Sequence, residues 1–310
     1  MPIPTTDRFE ADVVAAYGRN LLARDAGGAL LRARPFGRDL AIVCGDRVRC
    51  SRDTHGEVLV TEVLPRRTAL WRSNTRGAGE AVVANLSLAA VVIAALPRPD
   101  LFMVDRYLCA VRSAEIATLI IVNKSDLPLE PADEQELQQL VALGFPLLRV
   151  AAKHGIGLDA VDAAFKDHTS VLLGQSGVGK SSLIRRLAPD GADAAIGELM
   201  RESEGRHTTT ASHQYLCRAG GTLIDSPGVR DFAPSVDHLR PASLGFPEVE
   251  RVSGECRFQD CKHLQEPQCA VRDSVSDGRM SARRYESYRR LRRLFEKLQL
   301  ENNPTKKGRR

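Results

Sequence analysis

The chain has no apolar run of about 20 residues, the length a bilayer-spanning helix needs. Its most apolar stretch, AVVANLSLAAVVIAAL (81–96), is too short and is broken by Asn85 and Ser87. No membrane role is expected. The first residues, MPIPTTDRFEADVV, lack a basic segment leading into an apolar one, so no secretory signal is expected and the cytoplasm is the expected location. The seven cysteines make no disulfide framework in a chain of 310 residues. Cys44, Cys50, Cys109 and Cys217 stand in apolar or strand-like surroundings and read as small buried hydrophobes. A C-x-x-C pair is missing, which argues against redox chemistry. No coiled-coil repeat or long apolar stripe demands self-association, so a monomer is expected. Nor is there a cluster of acid, base and nucleophile of the kind a metabolic enzyme would carry outside the nucleotide motifs described below.

What is present is enough for several folded cores. Apolar residues make up 43% and charged residues 27%, and 310 residues suit two to three domains. The net charge of +5 is unevenly placed. From Arg279 to Arg310 there are 12 Lys or Arg and 3 Asp or Glu, a net of +9, which leaves −4 on the first 278 residues. One end of the molecule therefore suits an acidic partner.

Three patterns follow one another. ALLRARPF (29–36), DRVRCS (46–51) and GEVLVTEVL (56–64) are short β-type runs separated by glycines, which suits a small closed barrel of the oligonucleotide-binding (OB) type over residues 1–75. LPRRTALWR (64–72) then sets Arg66, Arg67 and Arg72 around Trp71, the one tryptophan, either as a stacking surface for nucleic acid or as a solvated linker. Over 76–236, runs at 91–93, 119–122, 147–150, 171–173 and 222–224 alternate with helical periods such as 132–143, the pattern of an α/β domain with a mostly parallel sheet. A cysteine-rich segment and a basic helix fill 237–300, and 301–310 reads as a disordered basic tail. In that helix Tyr285, Tyr288, Leu291, Phe295 and Leu298 form one apolar stripe, while Arg283, Arg284, Arg289, Arg290 and Arg293 lie largely off it and suit RNA phosphates.

Gly174-Gln175-Ser176-Gly177-Val178-Gly179-Lys180-Ser181 is a complete phosphate loop between an apolar strand and a helix that opens with Ser181 and Ser182. Its glycines let backbone N–H groups curl around phosphate. Lys180 is expected to reach the β- and γ-phosphates and the Ser181 hydroxyl to ligate Mg²⁺. Asp225-Ser-Pro-Gly228 ends a later strand, with Asp225 placed for a Mg²⁺-bound water and the Gly228 N–H for the γ-phosphate. Asn123-Lys124-Ser-Asp126 ends an earlier strand. A carboxylate there can accept two hydrogen bonds from the N1–H and 2-amino group of guanine. Adenine offers neither donor at those positions. Asn123 can support the loop, the Lys124 stem can cover the ring, and the Ala152 N–H in VAAK (150–153) can complete the base pocket. Between phosphate loop and Asp225, GRHTTTASH (205–213) is expected to hold the switch threonine for Mg²⁺; Thr208, Thr209 and Thr210 all qualify and Thr209 is favoured.

These are a GTPase's parts in the order base loop, phosphate loop, switch, Asp-x-x-Gly, whereas the usual order begins with the phosphate loop. Joining the old termini and opening a new break after Asp-x-x-Gly gives this order without disturbing the pocket. The domain reads as circularly permuted, and its γ-phosphate element leads into the cysteine-rich region, so nucleotide state is expected to orient that region. Val229 follows Gly228 where many regulatory GTPases carry a water-orienting glutamine, which predicts slow hydrolysis until a partner orders the switches.

CRFQDCKHLQEPQC supplies Cys256, Cys261, His263 and Cys269, three thiolates and an imidazole suited to a structural Zn²⁺. With NKSDL, GQSGVGKSSL, GRHTTT, LIDSPGVRDF and RYESY, these segments resemble the circularly permuted GTPases of small ribosomal subunit biogenesis, the RsgA family. The likeness covers roughly residues 80–300, and CGDRV and VLPRRTALWR extend it into the barrel. Ser87 departs from it, standing where the family has the Asp of Asn-x-Asp. The resemblance implies an OB-type barrel, a permuted GTPase domain and a zinc-bearing helical domain. It also implies Mg²⁺ with GTP or GDP, the small ribosomal subunit and its rRNA as partners, and hydrolysis stimulated by that particle. An RNA-binding module using GTP as a structural ligand is the alternative.

Overall fold

The computed structural model describes residues 8–73, 79–188, 211–230 and 234–302. Strands β1 (Arg8–Tyr17), β2 (Asn20–Asp25), β3 (Leu30–Pro35), β4 (Arg47–Arg52) and β5 (Val58–Val63) close on themselves in the order β1-β2-β3-β5-β4, with β4 pairing back to β1. β3 and β5 run parallel and the other pairs antiparallel. Alternate residues fill the barrel, among them Ala11, Val13, Leu21, Ala23, Val48, Cys50 and Val60. The expected barrel is present, and β1 and β2 are strands that local pattern did not single out.

The segment after the barrel is a structural joint. β6 (Ala69–Ser73) pairs antiparallel with β7 (Gly79–Ala84). Arg66 is neither a free RNA ligand nor a solvated linker residue: it donates through Nε (2.7 Å) and Nη2 (2.9 Å) to the fully buried Asp46 carboxylate. Trp71 stacks on His238 with ring centroids 4.2 Å apart and planes 7° from parallel. The Asn85 amide donates to Gly45 O (2.8 Å) and its oxygen accepts from Arg67 N (2.9 Å), tying barrel, linker and the next strand together. Gly45 has to be glycine here, since a Cβ would lie 2.1 Å from Ala84 O at a φ of +90°.

The strands β8 (Leu88–Ala94), β9 (Ala117–Asn123), β10 (Leu147–Arg149), β11 (Thr169–Leu173), β12 (Ala211–Leu216) and β13 (Thr222–Asp225) stand in the order β10-β9-β8-β11-β13-β12. All adjacent pairs are parallel except β12 with β13. β8 is buried along its whole length, as a central parallel strand must be. Val91 and Ile93 face the layer that holds α1 (Leu101–Ser113) and α2 (Pro131–Ala142), while Ala90 and Val92 face α3 (Leu158–Phe165) and α4 (Lys180–Leu187). Ser87 keeps a polar role where the family has an acid: its Oγ accepts from Thr169 N (3.0 Å) and bonds His168 Nδ1 (2.8 Å), which sets the start of β8 against β11. From β8 the chain moves outward through β9 and β10, then returns to β11 on the other side of β8. The order reverses between β8 and β11, and in such sheets the carboxyl ends at that reversal form the ligand crevice. β12 also pairs with β1, with Ala15 opposite His213, so barrel and α/β sheet form one continuous sheet among the described residues.

Beyond the short helix α5 (Pro227–Arg230), the chain is held at Pro234–Ser235. Pro234 O accepts from Arg106 Nη2 (2.6 Å) and Ser235 N donates to Trp71 O (2.7 Å). α6 (Pro247–Val252), α7 (Ala270–Ser276) and α8 (Ala282–Asn302) then build a separate core from Phe246, Val249, Val271, Tyr288, Leu291 and Phe295, which Cys109 of α1 joins. The apolar stripe of α8 is as expected, but its first arginines are not RNA ligands. Arg284 is 1% exposed and pairs with Asp105 and Glu248, and Arg283 pairs with Asp105 (2.7 Å) and Glu136 (2.7 Å). Among the described residues no helix is long and apolar enough to cross a membrane.

Candidate nucleotide site and metal centre

The loops after β9, β10 and β11 meet at one rim. Asn123, at the end of β9 and 2% exposed, holds them together: its Nδ2 donates to Val178 O (2.9 Å) and its Oδ1 accepts from Ala152 N (3.1 Å). Gly179 makes this approach possible, because a Cβ there would lie 2.2 Å from Asn123 Nδ2 at a φ of +98°. Lys124, at a φ of +56°, spans the same gap and donates to Gly177 O (2.8 Å) and Leu96 O (2.6 Å). Base loop and phosphate loop are thus bonded to each other, although 55 residues separate Asn123 from Val178.

Between them lies a cleft of about 780 Å³, lined by Asn123, Lys124, Asp126, Ala152, Gly179 and Ser182, among others. The Asp126 carboxylate is partly exposed in it, 3.8 Å from His154 Nε2. The Ala152 N–H, expected to meet the base, donates to Asn123 in this structure. Sequence reading also missed His154, Arg185 and Arg186, which line the same cleft. Arg186 was open to inference, since it stands one helical turn after Ser182 and shares its face of α4. Its Nε donates to Ala152 O and its Nη2 to Lys153 O, each at 3.1 Å.

At the phosphate loop Gly174 packs so closely on β8 that a Cβ would lie 2.2 Å from Val92 O. The Lys180 ammonium lies within the loop and donates to the carbonyls of Gly174 and Gln175. Gln175 Oε1 accepts from Asp100 N (2.9 Å), and Asp100 caps α1 by accepting from Phe102 N and Met103 N. Ser176 continues the loop, and Ser181 and Ser182 lie in the first turn of α4, whose dipole favours an anion. On β13, Asp225 is buried opposite His213 of β12. Gly228 N donates to Ser226 Oγ (3.2 Å), and Val229 is a core residue. Thr208, Thr209 and Thr210 lie outside the described residues.

Farther along, Cys256, Cys261, His263 and Cys269 bring their ligand atoms within 4.8 Å of one another. His263 Nδ1 is 3.5 Å from Cys256 Sγ and 3.4 Å from Cys269 Sγ, and those sulfurs are 4.0 Å apart. A zinc tetrahedron with bonds of about 2.3 Å to sulfur and 2.0 Å to nitrogen has edges of roughly 3.5–3.8 Å. The donor set therefore fits Zn²⁺ in both chemistry and spacing. Helix α8 backs it, with Tyr285 Oη donating to His263 O (2.8 Å) and Tyr288 Oη to Lys262 O (3.0 Å).

Strand order and pocket together define a phosphate-loop GTPase of circularly permuted topology. The RsgA GTPase family profile matches residues 63–234. A protein of Azotobacter vinelandii named small ribosomal subunit biogenesis GTPase RsgA is 42% identical over 258 residues, covering 81% of this chain and 74% of that one. A protein of the same name from Pseudomonas aeruginosa is 37% identical over 284 residues, covering 90% and 83%. In fold, the chain is similar to YjeQ from Thermotoga maritima (TM-score 0.71, 24% identity, 98% of this chain and 100% of that one). It is also similar to YloQ, described as a circularly permuted GTPase (TM-score 0.69, 24% identity, 96% and 98%). The chain belongs to the RsgA GTPase family.

Proposed function

We propose that the protein hydrolyses GTP in a cycle that assists maturation of the small ribosomal subunit, and that the particle, through its rRNA, accelerates the hydrolysis. The observation that carries this reading is the Asn123 amide, which bonds the base-reading loop to the phosphate loop and makes one pocket of two distant motifs. Asp126 selects guanine by accepting from N1–H and the 2-amino group. Lys124 covers the ring. Residues Gly174 to Ser182 hold the phosphates, with Lys180 turning from the loop carbonyls to the β- and γ-oxygens. Asp225 and Gly228 sense the γ-phosphate. Mg²⁺, when bound with the nucleotide, neutralises charge on the phosphate oxygens; Ser181 and Thr209 are the side chains assigned to it. Cys256, Cys261, His263 and Cys269 would hold one structural Zn²⁺, supplying folding energy where the polar surroundings cannot.

The working division is a barrel at 1–75, the GTPase domain at 76–236, the zinc-bearing domain at 237–300 and a basic tail at 301–310. Coupling of nucleotide state to the zinc-bearing domain is supported by two routes. One is the joint at Pro234–Ser235, bonded to Arg106 of α1 and to Trp71, on which His238 stacks. The other runs from Gln175 to Asp100, along α1 to Asp105, and across to Arg284. We take the protein to act in the cytoplasm as a monomer.

The test is the GTPase rate of the full chain with and without small ribosomal subunits. A slow intrinsic rate is expected, because Val229 is packed in the core and cannot orient water, with a rise of orders of magnitude on adding subunits. An unchanged rate refutes the partner assignment. Fast turnover by the protein alone refutes the need for a partner.

A further inference from the structure

The loop 151–154, which rims the base side of the cleft, has four backbone N–H groups. Three of them donate within the protein: Ala151 to Ile156 O (3.0 Å), Ala152 to Asn123 Oδ1 (3.1 Å) and His154 to Ala151 O (2.9 Å). The Lys153 N–H has no such partner among the described residues. It belongs to the same peptide unit as the Ala152 carbonyl, which Arg186 Nε holds at 3.1 Å, while Arg186 Nη2 holds Lys153 O at 3.1 Å. A trans peptide is planar, with its N–H directed opposite to its C=O. Fixing Ala152 O on α4 therefore fixes the direction of the Lys153 N–H, and a bond to the carbonyl polarises that N–H further. A planar guanidinium can hold two neighbouring carbonyls at once, which an ammonium cannot do in the same geometry. Arg186 belongs to neither the phosphate-loop nor the base-loop motif.

We propose that Arg186 is a positioning residue for base recognition. It holds the 152–153 peptide so that the Lys153 N–H donates to the 6-oxo group of guanine, while Asp126 takes the N1–H and 2-amino edge. Adenine carries an amino donor at position 6, so the fixed N–H meets a donor and rejects it, a second sieve beside Asp126. The inference rests on the guanine-pocket reading above.

The test titrates the full chain with GDP, inosine diphosphate and 6-thio-GDP. Inosine diphosphate lacks only the 2-amino group, and 6-thio-GDP replaces the 6-oxo group with a weakly accepting sulfur. The wild-type protein is expected to prefer GDP over 6-thio-GDP by about tenfold, the worth of one neutral hydrogen bond. Arg186→Ala should bring that ratio to within about twofold and leave the GDP-to-inosine-diphosphate ratio, which Asp126 sets, unchanged; Arg186→Lys should fall between. If Arg186→Ala melts early, Arg186→Gln is read on the same ratio. Equal weakening of all three ligands with the 6-thio ratio intact would make Arg186 merely structural and overturn the proposal, as would a wild-type protein indifferent to the 6-oxo group. Asp126→Asn separates the underlying reading: it should move preference from GDP to xanthosine diphosphate. If it does not while GDP still binds, the pocket assignment fails whatever Arg186 does.

Discussion

Lys180 and Arg284 are both cations with little exposure, and their surroundings give them opposite tasks. Lys180 is bonded to loop carbonyls, which in the proposed reading it exchanges for phosphate oxygens. Lys180→Ala should lower the GTP hydrolysis rate by about two to three orders of magnitude, the scale of removing one preorganised charge donor, in a single-turnover assay. Arg284 has no such freedom, being closed in by Asp105 and Glu248 with its guanidinium over the Phe246 ring. Arg284→Ala leaves two buried carboxylates short of a partner and should destabilise the α1–α8 seam by about 3–5 kcal/mol, read as a lower denaturation midpoint with guanine nucleotide binding retained. Glu250, on α6 and bonded to Arg112 of α1, shows the pH side of the neighbouring α1–α6 contact. Burial pushes its carboxyl up, but the Ser243 hydroxyl and the Arg112 and Arg240 guanidiniums outweigh that and hold it below the ordinary glutamate value. A carboxyl with a depressed folded pKa adds stability above its unfolded value near 4.3, and that stability is lost as pH falls through the folded one. Glu250→Gln should therefore narrow the loss of melting temperature between pH 5 and pH 3 relative to wild type, in melts followed by circular dichroism.

Among the elements, those with a strong period or a glycine-bound motif were legible in the sequence. β8, β9, β11 and β13 carry unbroken apolar runs because both faces of a parallel sheet are covered, and α8 announces its buried stripe through tyrosines and leucines at helical spacing. β12 was not legible: ASHQYL is polar and reads as loop, and only its neighbours β13 and β1 make it a strand. The arginines of α8 misled for a related reason. Their helical positions were right, but pattern alone cannot show that acids from α1, α2 and α6 converge on two of them. Its place on the Ser182 face of α4 could have drawn attention to Arg186, but its partners are carbonyls, so side-chain pattern could not show what it holds. The cluster of Cys256, Cys261, His263 and Cys269 was legible by spacing, since its chemistry depends on residue type alone. Chelation, or Cys261→Ser, should release about one zinc per chain by elemental analysis and unfold the 256–269 segment in amide exchange, while GDP binding persists because the nucleotide rim shares no residue with the knot.

At the level of the whole molecule, the permuted chain places its break so that both flanks of the Asp225–Gly228 segment are fastened to other parts. β12 is laddered to barrel strand β1, and Pro234–Ser235 is bonded to Arg106 and to β6. Among the described residues, a change at Asp225 can reach the Cys3His region by shifting these anchorages or by passing along α1. GTP and GDP complexes should therefore differ in amide exchange at residues 69–73 as well as at 234–239, and identical protection in both would rule out this route. The stacked pair at that joint brings a practical consequence. With Trp71 the only indole in the chain and an imidazole lying flat against it, tryptophan emission comes from one place. Unlabelled protein thus carries its own optical gauge, and brightening or quenching on mixing with nucleotide or ribosomal particles would time the movement of the joint without a dye or an engineered cysteine.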